Sequence, residues 1–267
     1  MRPVRAATIL ILVLCPAAAG AQQSQYLYPV ERAELESHVG LQFEYGQPST
    51  GPADPTVHRT VLSIEGQYAV LDLVEIGANL PLLDYSFTTS DDPAPDVHDA
   101  QLGDPIIGLK LRTTQSERVR TAAFVNTRLP LHSGAGDRHY ATFQAGAAVD
   151  LPLPRLDLGG TVEMLWFLRT VNEDLGTSGR DVAYLGLSLH AGYRLFGPLW
   201  ARLALQFYNS IHPDGGLHIL GLSPGLCVQL LERLSLEIST RVGATNSGRD
   251  LFGGRATLLF AATWRLR

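Results

Sequence analysis

The stretch Leu234-Ser235-Leu236-Glu237-Ile238-Ser239-Thr240-Arg241-Val242-Gly243-Ala244-Thr245 decides the fold class. Leu234, Leu236, Ile238, Thr240, Val242 and Ala244 share one parity, and Ser235, Glu237, Ser239, Arg241, Gly243 and Thr245 share the other. Successive side chains of a strand point to opposite faces, so the segment reads as a β-strand with one apolar and one polar face. It is about twice the usual strand length of five or six residues. That length crosses bilayer hydrocarbon at a tilt of about 45°.

The same alternation recurs at residues 35–45, 57–70, 72–82, 105–113, 118–129, 139–151, 155–169, 182–195, 198–210, 217–231 and 254–266. In the first of these, Leu35, Val39, Leu41, Phe43 and Tyr45 oppose Glu36, His38, Gly40, Gln42 and Glu44. The links alternate in length. Long ones rich in Gly, Pro, Asp, Asn and Ser occupy 46–56, 83–104, 130–138, 170–181, 211–216 and 245–253; short ones lie near Leu71, Thr114–Glu117, Pro152–Pro154, Phe196–Pro198 and Leu231-Glu232. Short turns on one side and long loops on the other are the habit of outer-membrane barrels, and a soluble sandwich has no reason to sort its loops this way. The reading is an all-β, transmembrane, antiparallel up-and-down barrel of about 12 strands over residues 35–267, with both termini periplasmic.

The start of the chain agrees. Arg2 and Arg5 precede an apolar run from Ala6 to Leu14, and Ala19-Gly20-Ala21 offers an A-x-A cleavage site. Residues 1–21 therefore read as a secretory signal peptide cleaved after Ala21, too short to cross a membrane as a helix. Leu14 before Cys15 is not the small residue that a lipidation site wants. Losing Arg2 and Arg5 moves the formal charge from −5 to −7, a poor match to nucleic acid. Cys227 then stands alone, which precludes an internal disulfide. Leu251–Trp264 is too broken by Gly, Arg and Thr to be a membrane helix, which leaves the closed barrel as the way to satisfy every backbone polar group in lipid. Residues 22–34, with Tyr26, Leu27, Tyr28 and Pro29, read as an arm or a plug folded into the lumen.

Charge on the lipid face costs about 2–4 kcal/mol per group near the midplane. The lumen is therefore expected to carry Arg59, Glu65, Glu75, Lys110, Arg112, Arg118, Arg120, Arg128, Glu163, Arg169, His190, Arg194, Arg202, Glu237, Arg241 and Arg255. An arginine excess inside tilts a pore toward anions. Twelve strands enclose a lumen between that of a side-chain-filled eight-stranded barrel and an open porin.

No other chemistry is called for. Asp91, Asp92, Asp96, His98, Asp99 and Asp104 lack EF-hand spacing and read as a solvated acidic loop. His38, His58, His139 and His218 are scattered, without zinc spacing. His132-Ser133-Gly134 and Asn209-Ser210-Ile211-His212 sit among turn-formers and do not match the histidine–serine–asparagine–glycine pattern of the outer-membrane phospholipase. Neither a metal, a cofactor nor catalysis is expected.

Three stretches carry a resemblance: Leu73-Val74-Glu75-Ile76-Gly77-Ala78-Asn79-Leu80-Pro81-Leu82, Leu102-Gly103-Asp104-Pro105-Ile106-Ile107-Gly108-Leu109-Lys110-Leu111-Arg112, and Asn126-Thr127-Arg128-Leu129-Pro130, with Gly134-Ala135-Gly136-Asp137 beyond. Over roughly residues 60–150 the chain resembles the outer-membrane barrels grouped as the phenol-degradation meta-pathway type. It departs from them at Pro105 and in ending Trp264-Arg265-Leu266-Arg267 without a terminal aromatic residue. The resemblance implies a channel for hydrophobic or aromatic compounds. The expectation is an outer-membrane channel or uptake protein for small solutes, hydrophobic or anionic, with lipid as its surroundings; a sealed structural barrel with partner-binding loops is the alternative.

Overall fold

The computed structural model describes residues 32–46, 56–70, 72–89, 97–116, 118–129, 140–169, 182–211, 218–243 and 256–266. Its strands are β1 (His38–Gly46), β2 (Thr56–Val70), β3 (Val74–Thr89), β4 (Val97–Gln101), β5 (Ile106–Gln115), β6 (Arg120–Arg128), β7 (Tyr140–Pro152), β8 (Leu156–Arg169), β9 (Val182–Phe196), β10 (Leu199–Ser210), β11 (His218–Gln229), β12 (Leu234–Gly243) and β13 (Thr257–Arg265). Each pairs antiparallel with its neighbours, β1 meets both β2 and β13, and β2 meets β3, so the sheet closes on itself. β4 and β5 stack end to end along the single long strand β3, pairing with Asp84–Thr88 and Val74–Asn79 respectively. They count as one stave, and the wall is a closed antiparallel barrel of twelve.

Expectation and structure differ at two places along this wall. The expected loop 83–104 is largely strand, because β3 runs on to Thr89 and returns as β4. The expected first strand from Leu35 begins instead at His38, and Leu35 is buried rather than on the outer face. A pairing shift at Leu62/Ser63 explains a further local effect: Ser63 pairs with Pro81 and Leu62 with Leu83, so Leu82 bulges and Asp84 turns inward. Gly103 fits here because a Cβ on it would lie 2.5 Å from Pro81 Cβ, and its N–H bonds Pro81 O at 3.0 Å. The Leu80-Pro81 and Gly103-Asp104 motifs are thus two sides of one contact. Pro105 sits just before β5, where it has no ladder bond to donate, and its carbonyl accepts from Leu129.

The alternation sorts side chains as a membrane barrel requires. On β1, Val39, Leu41, Phe43 and Tyr45 are exposed outside while His38 and Gln42 are buried inside. Phe43 meets Phe260 at 6.1 Å and Phe143 meets Trp166 at 5.5 Å between ring centroids, pairs that face each other across adjacent outer strands. A water-soluble chain would bury this surface at about 25 cal/mol per Å². Turned outward around a closed wall, it suits hydrocarbon. The short connections lie at one end, with Gly197 and Asp72 adopting positive φ in two of them. The start of β1 and the end of β13 lie at that same end. No described helix is long and apolar enough to cross a membrane, which says nothing against crossing by strands.

Candidate functional site

The site is the lumen, and it is built in two levels. Near the end where the chain enters β1, carboxylates gather donors from several staves. Glu65 receives Gln42 Nε2 at 2.9 Å and Gln67 Nε2 at 3.0 Å, and His38 Nε2 lies 3.0 Å from its Oε1. Glu75 accepts from Lys110 Nζ at 2.9 Å. Arg202 Nη1 donates to Glu237 at 2.5 Å across the width of β11. Asp150, only 1% exposed, faces His190 at 3.1 Å. Burial of charge is tolerable only where partners of this kind are in place.

Residues before β1 reach into this level. Arg32 pairs with Asp157 and lies 3.8 Å from Asp150; Glu34 pairs with Arg120, and its N–H bonds Asp150 at 3.1 Å. Ala33 is fully buried with Ala122, Phe124 and Ala148. The N–H of Glu36 bonds Glu75 at 2.8 Å, and its carboxylate meets Arg265 at 3.1 Å.

Farther in, a hydrogen-bonded chain crosses five staves. Asn126 Nδ2 on β6 donates to Gln144 on β7 at 2.9 Å, and Gln144 Nε2 donates to Glu163 on β8. Glu163 also accepts from Ser188 on β9 at 3.2 Å and from Tyr208 on β10 at 2.6 Å. Glycines make room for it: a Cβ at Gly186 would stand 2.5 Å from Tyr208 Cε1 and 2.8 Å from Glu163 Cγ. Arg241 of β12 reaches this level with Glu44 at 4.0 Å, and Arg59 forks onto Asp84, Nε to Oδ1 at 2.6 Å. None of Gln144, Glu163, Ser188, Tyr208 and Arg241 is more than 3% exposed, so these side chains fill the lumen at their level.

The charged residues expected inside fall into groups. Arg59, Glu65, Glu75, Lys110, Arg120, Glu163, His190, Arg202, Glu237 and Arg241 meet at the two levels just described, and Arg112 and Arg128 are half-buried on the inward parity of β5 and β6. Arg118 and Arg194 stand exposed at hairpin turns, where Arg194 Nε donates to Gly197 O at 2.8 Å instead of reaching inward. The Arg169 side chain and Arg255 lie outside the described residues, as do Asp91, Asp92, Asp96, His132, Ser133 and His212. Asn209 is exposed at the end of β10. Four acidic groups on the described inner wall were missing from the expected set: Glu44, Asp84, Asp150 and Asp157. Among the described residues they offset the arginine excess on which the expectation of anions rests. Glu44, Asp150 and Asp157 share the parity of Gln42, Gln144 and Glu163 and were readable; Asp84 fell in the expected loop 83–104, just past the Leu82 bulge. Also unforeseen are apolar side chains turned inward, Ile106, Phe124, Leu165, Tyr184 and Leu259.

The family described as "Putative MetA-pathway of phenol degradation" matches residues 47–259, about four-fifths of the chain. No curated protein matches it in sequence. Among solved structures, the NanC porin aligns with TM-score 0.56 and 9% identity, covering 85% of this chain and 100% of that one. The transport unit of the autotransporter AIDA-I from Escherichia coli aligns with TM-score 0.55 and 12% identity over 100% and 99% of the two chains. The translocator domain of the autotransporter NalP from Neisseria meningitidis gives TM-score 0.55 and 10% identity, over 87% and 89%. At such identities the likeness is one of fold, and the fold is that of outer-membrane β-barrels.

Proposed function

We propose that this chain, which belongs to the family described as "Putative MetA-pathway of phenol degradation", is a narrow outer-membrane channel for small apolar or aromatic solutes. The observation that carries the reading is a closed wall, apolar outside, around a lumen whose polar lining is interrupted by inward Ile106, Phe124, Leu165, Tyr184 and Leu259. Polar side chains can exchange partners with one another and with water, and the apolar ones give a ring-shaped solute surface to slide along. The offset charge argues for neutral solutes over anions. In this reading residues 1–21 direct export and are removed after Ala21, both termini are periplasmic, and lipid surrounds the wall.

The test is conductance of the refolded protein in planar bilayers, together with liposome swelling in phenyl glucoside, benzoate and a disaccharide, solutes that protein-free vesicles hold back. Single-channel steps with uptake of phenyl glucoside ahead of the disaccharide are the expected result. Absence of steps and of swelling with every solute overturns the channel. That outcome favours a sealed envelope barrel whose long loops hold a partner, a reading supported by the filled level around Glu163.

A further inference from the structure

We infer that residues 32–37 are a plug for the lumen's N-terminal mouth, held by ion pairs beside the buried Ala33 and Leu35 and loosened when that charge is screened or reversed. The inference rests on the channel reading for its purpose but not for its test. An arm hanging free of the barrel would leave its side chains in water. Here instead the segment is tied to the wall by side chains and backbone. Arg32 grips Asp157 and Asp150 on β7 and β8, and Glu34 grips Arg120 on β6. Between them Ala33 is 0% exposed against Ala122, Phe124 and Ala148, on the side of the wall away from β1 in the strand order. The backbone is held too. The N–H groups of Glu34 and Glu36 bond the carboxylates of Asp150 and Glu75, and Ser37 Oγ accepts the N–H of Ala69 at 2.9 Å. A segment reaching from β1 to β6–β8 cannot do so without crossing the mouth.

The chemistry of the dock tells how it lets go. The Arg32, Glu34, Arg120, Glu36 and Arg265 side chains are 27–45% exposed, so their pairs face water and are weak one by one. The buried apolar anchors among residues 32–37 are Ala33, 0% exposed, and Leu35, 9% exposed. Beside them the segment depends on several marginal ion pairs acting together, and raising salt from about 0.1 M to about 1 M shortens the screening length from about 10 Å to about 3 Å.

The experiment uses the full chain in lipid vesicles, with Ala33→Cys as a probe in a Cys15→Ser/Cys227→Ser background and a small membrane-impermeant maleimide as reagent. In 0.1 M salt the probe is expected to react slowly. Adding Glu34→Arg, or Arg120→Glu, should speed labelling about fivefold or more, the factor that loss of about 1 kcal/mol gives. Combining the two restores an opposed pair and should restore protection. Labelling of the parent should also rise at about 1 M salt. Fast labelling of the parent in low salt, or failure of the charge swap to restore protection, overturns the plug. Conductance of the same proteins separates the two ideas. Labelling that follows the charges while no variant ever conducts leaves the plug standing and sinks the channel.

Discussion

Glu163 is the acceptor on which the filled level of the lumen turns, and replacing it with leucine tests whether that level is dry. Glu163→Leu keeps a side chain of similar bulk at a site 3% exposed, but removes the acceptor used by Gln144, Ser188 and Tyr208. A buried donor left without a partner costs about 1–3 kcal/mol. Gln144 and Tyr208, both 0% exposed, should bear the full cost, while the Ser188 hydroxyl can rotate toward another acceptor. Relief of the carboxylate's own desolvation offsets part of the total, leaving a net loss of about 3 kcal/mol. Tyr208→Phe alone deletes one bond to a charged acceptor and should cost about 2 kcal/mol. The decisive comparison is Tyr208→Phe made in the Glu163→Leu background. There the hydroxyl has lost its charged acceptor and keeps only the Ser188 hydroxyl beside it, so its removal should cost close to nothing, a coupling of about 2 kcal/mol. Urea unfolding from phosphatidylcholine vesicles, followed by the fluorescence of the three tryptophans, reads all four corners of the cycle. If Tyr208→Phe costs the same in both backgrounds to within about 0.5 kcal/mol, water serves these donors and the lumen is hydrated at Glu163.

The same assay bears on two further features. Lys110→Met takes the ammonium from a buried pair and should cost about 3–5 kcal/mol, most of it recovered in Glu75→Leu/Lys110→Met; equal losses in the single and double variants would show that the pair is not the unit of stability. On the outer face, Leu187→Arg in mid-strand should cost about 2–4 kcal/mol and Leu195→Arg beside the Phe196-Gly197 turn about 1 kcal/mol or less, since the penalty follows depth in the bilayer. Equal costs at the two positions would contradict a membrane-spanning wall.

The wall was legible in the sequence because one parity rule repeats along every stave and any register slip would put charge into lipid. Loop length marked which end of the wall carries the short turns. What parity missed lies where it breaks locally. The Leu82 bulge shifts the phase of β3 and brings Asp84 inward; alternation read across it places Asp84 wrongly. Leu35 looks like a strand residue by parity, yet it belongs to the segment that enters the lumen, and only three-dimensional contact with the far wall distinguishes the two roles. The pairing of the inner charges was illegible for another reason. Arg202 and Glu237 are separated by a whole strand, and Glu34 and Arg120 by 86 positions (120 − 34), so their meeting depends on closure of the sheet and on no local pattern.

A lumen filled in this way is closed by groups that water can replace. Were the level around Glu163 packed with leucine and phenylalanine, opening it would expose apolar area at about 25 cal/mol per Å² with nothing regained. Filled with Asn126, Gln144, Glu163, Ser188 and Tyr208, it loses hydrogen bonds that water makes again, at a net of about 0.5–1.5 kcal/mol each. Four such bonds put the opened arrangement about 2–6 kcal/mol above the closed one, a minor state of the size that ligands and conditions shift. The polar filling therefore does not by itself argue for a sealed barrel. On the channel reading proposed above, it sets a passage that is closed most of the time, opens at modest cost, and conducts in rare brief events whose frequency Glu163→Leu and Tyr208→Phe should alter together.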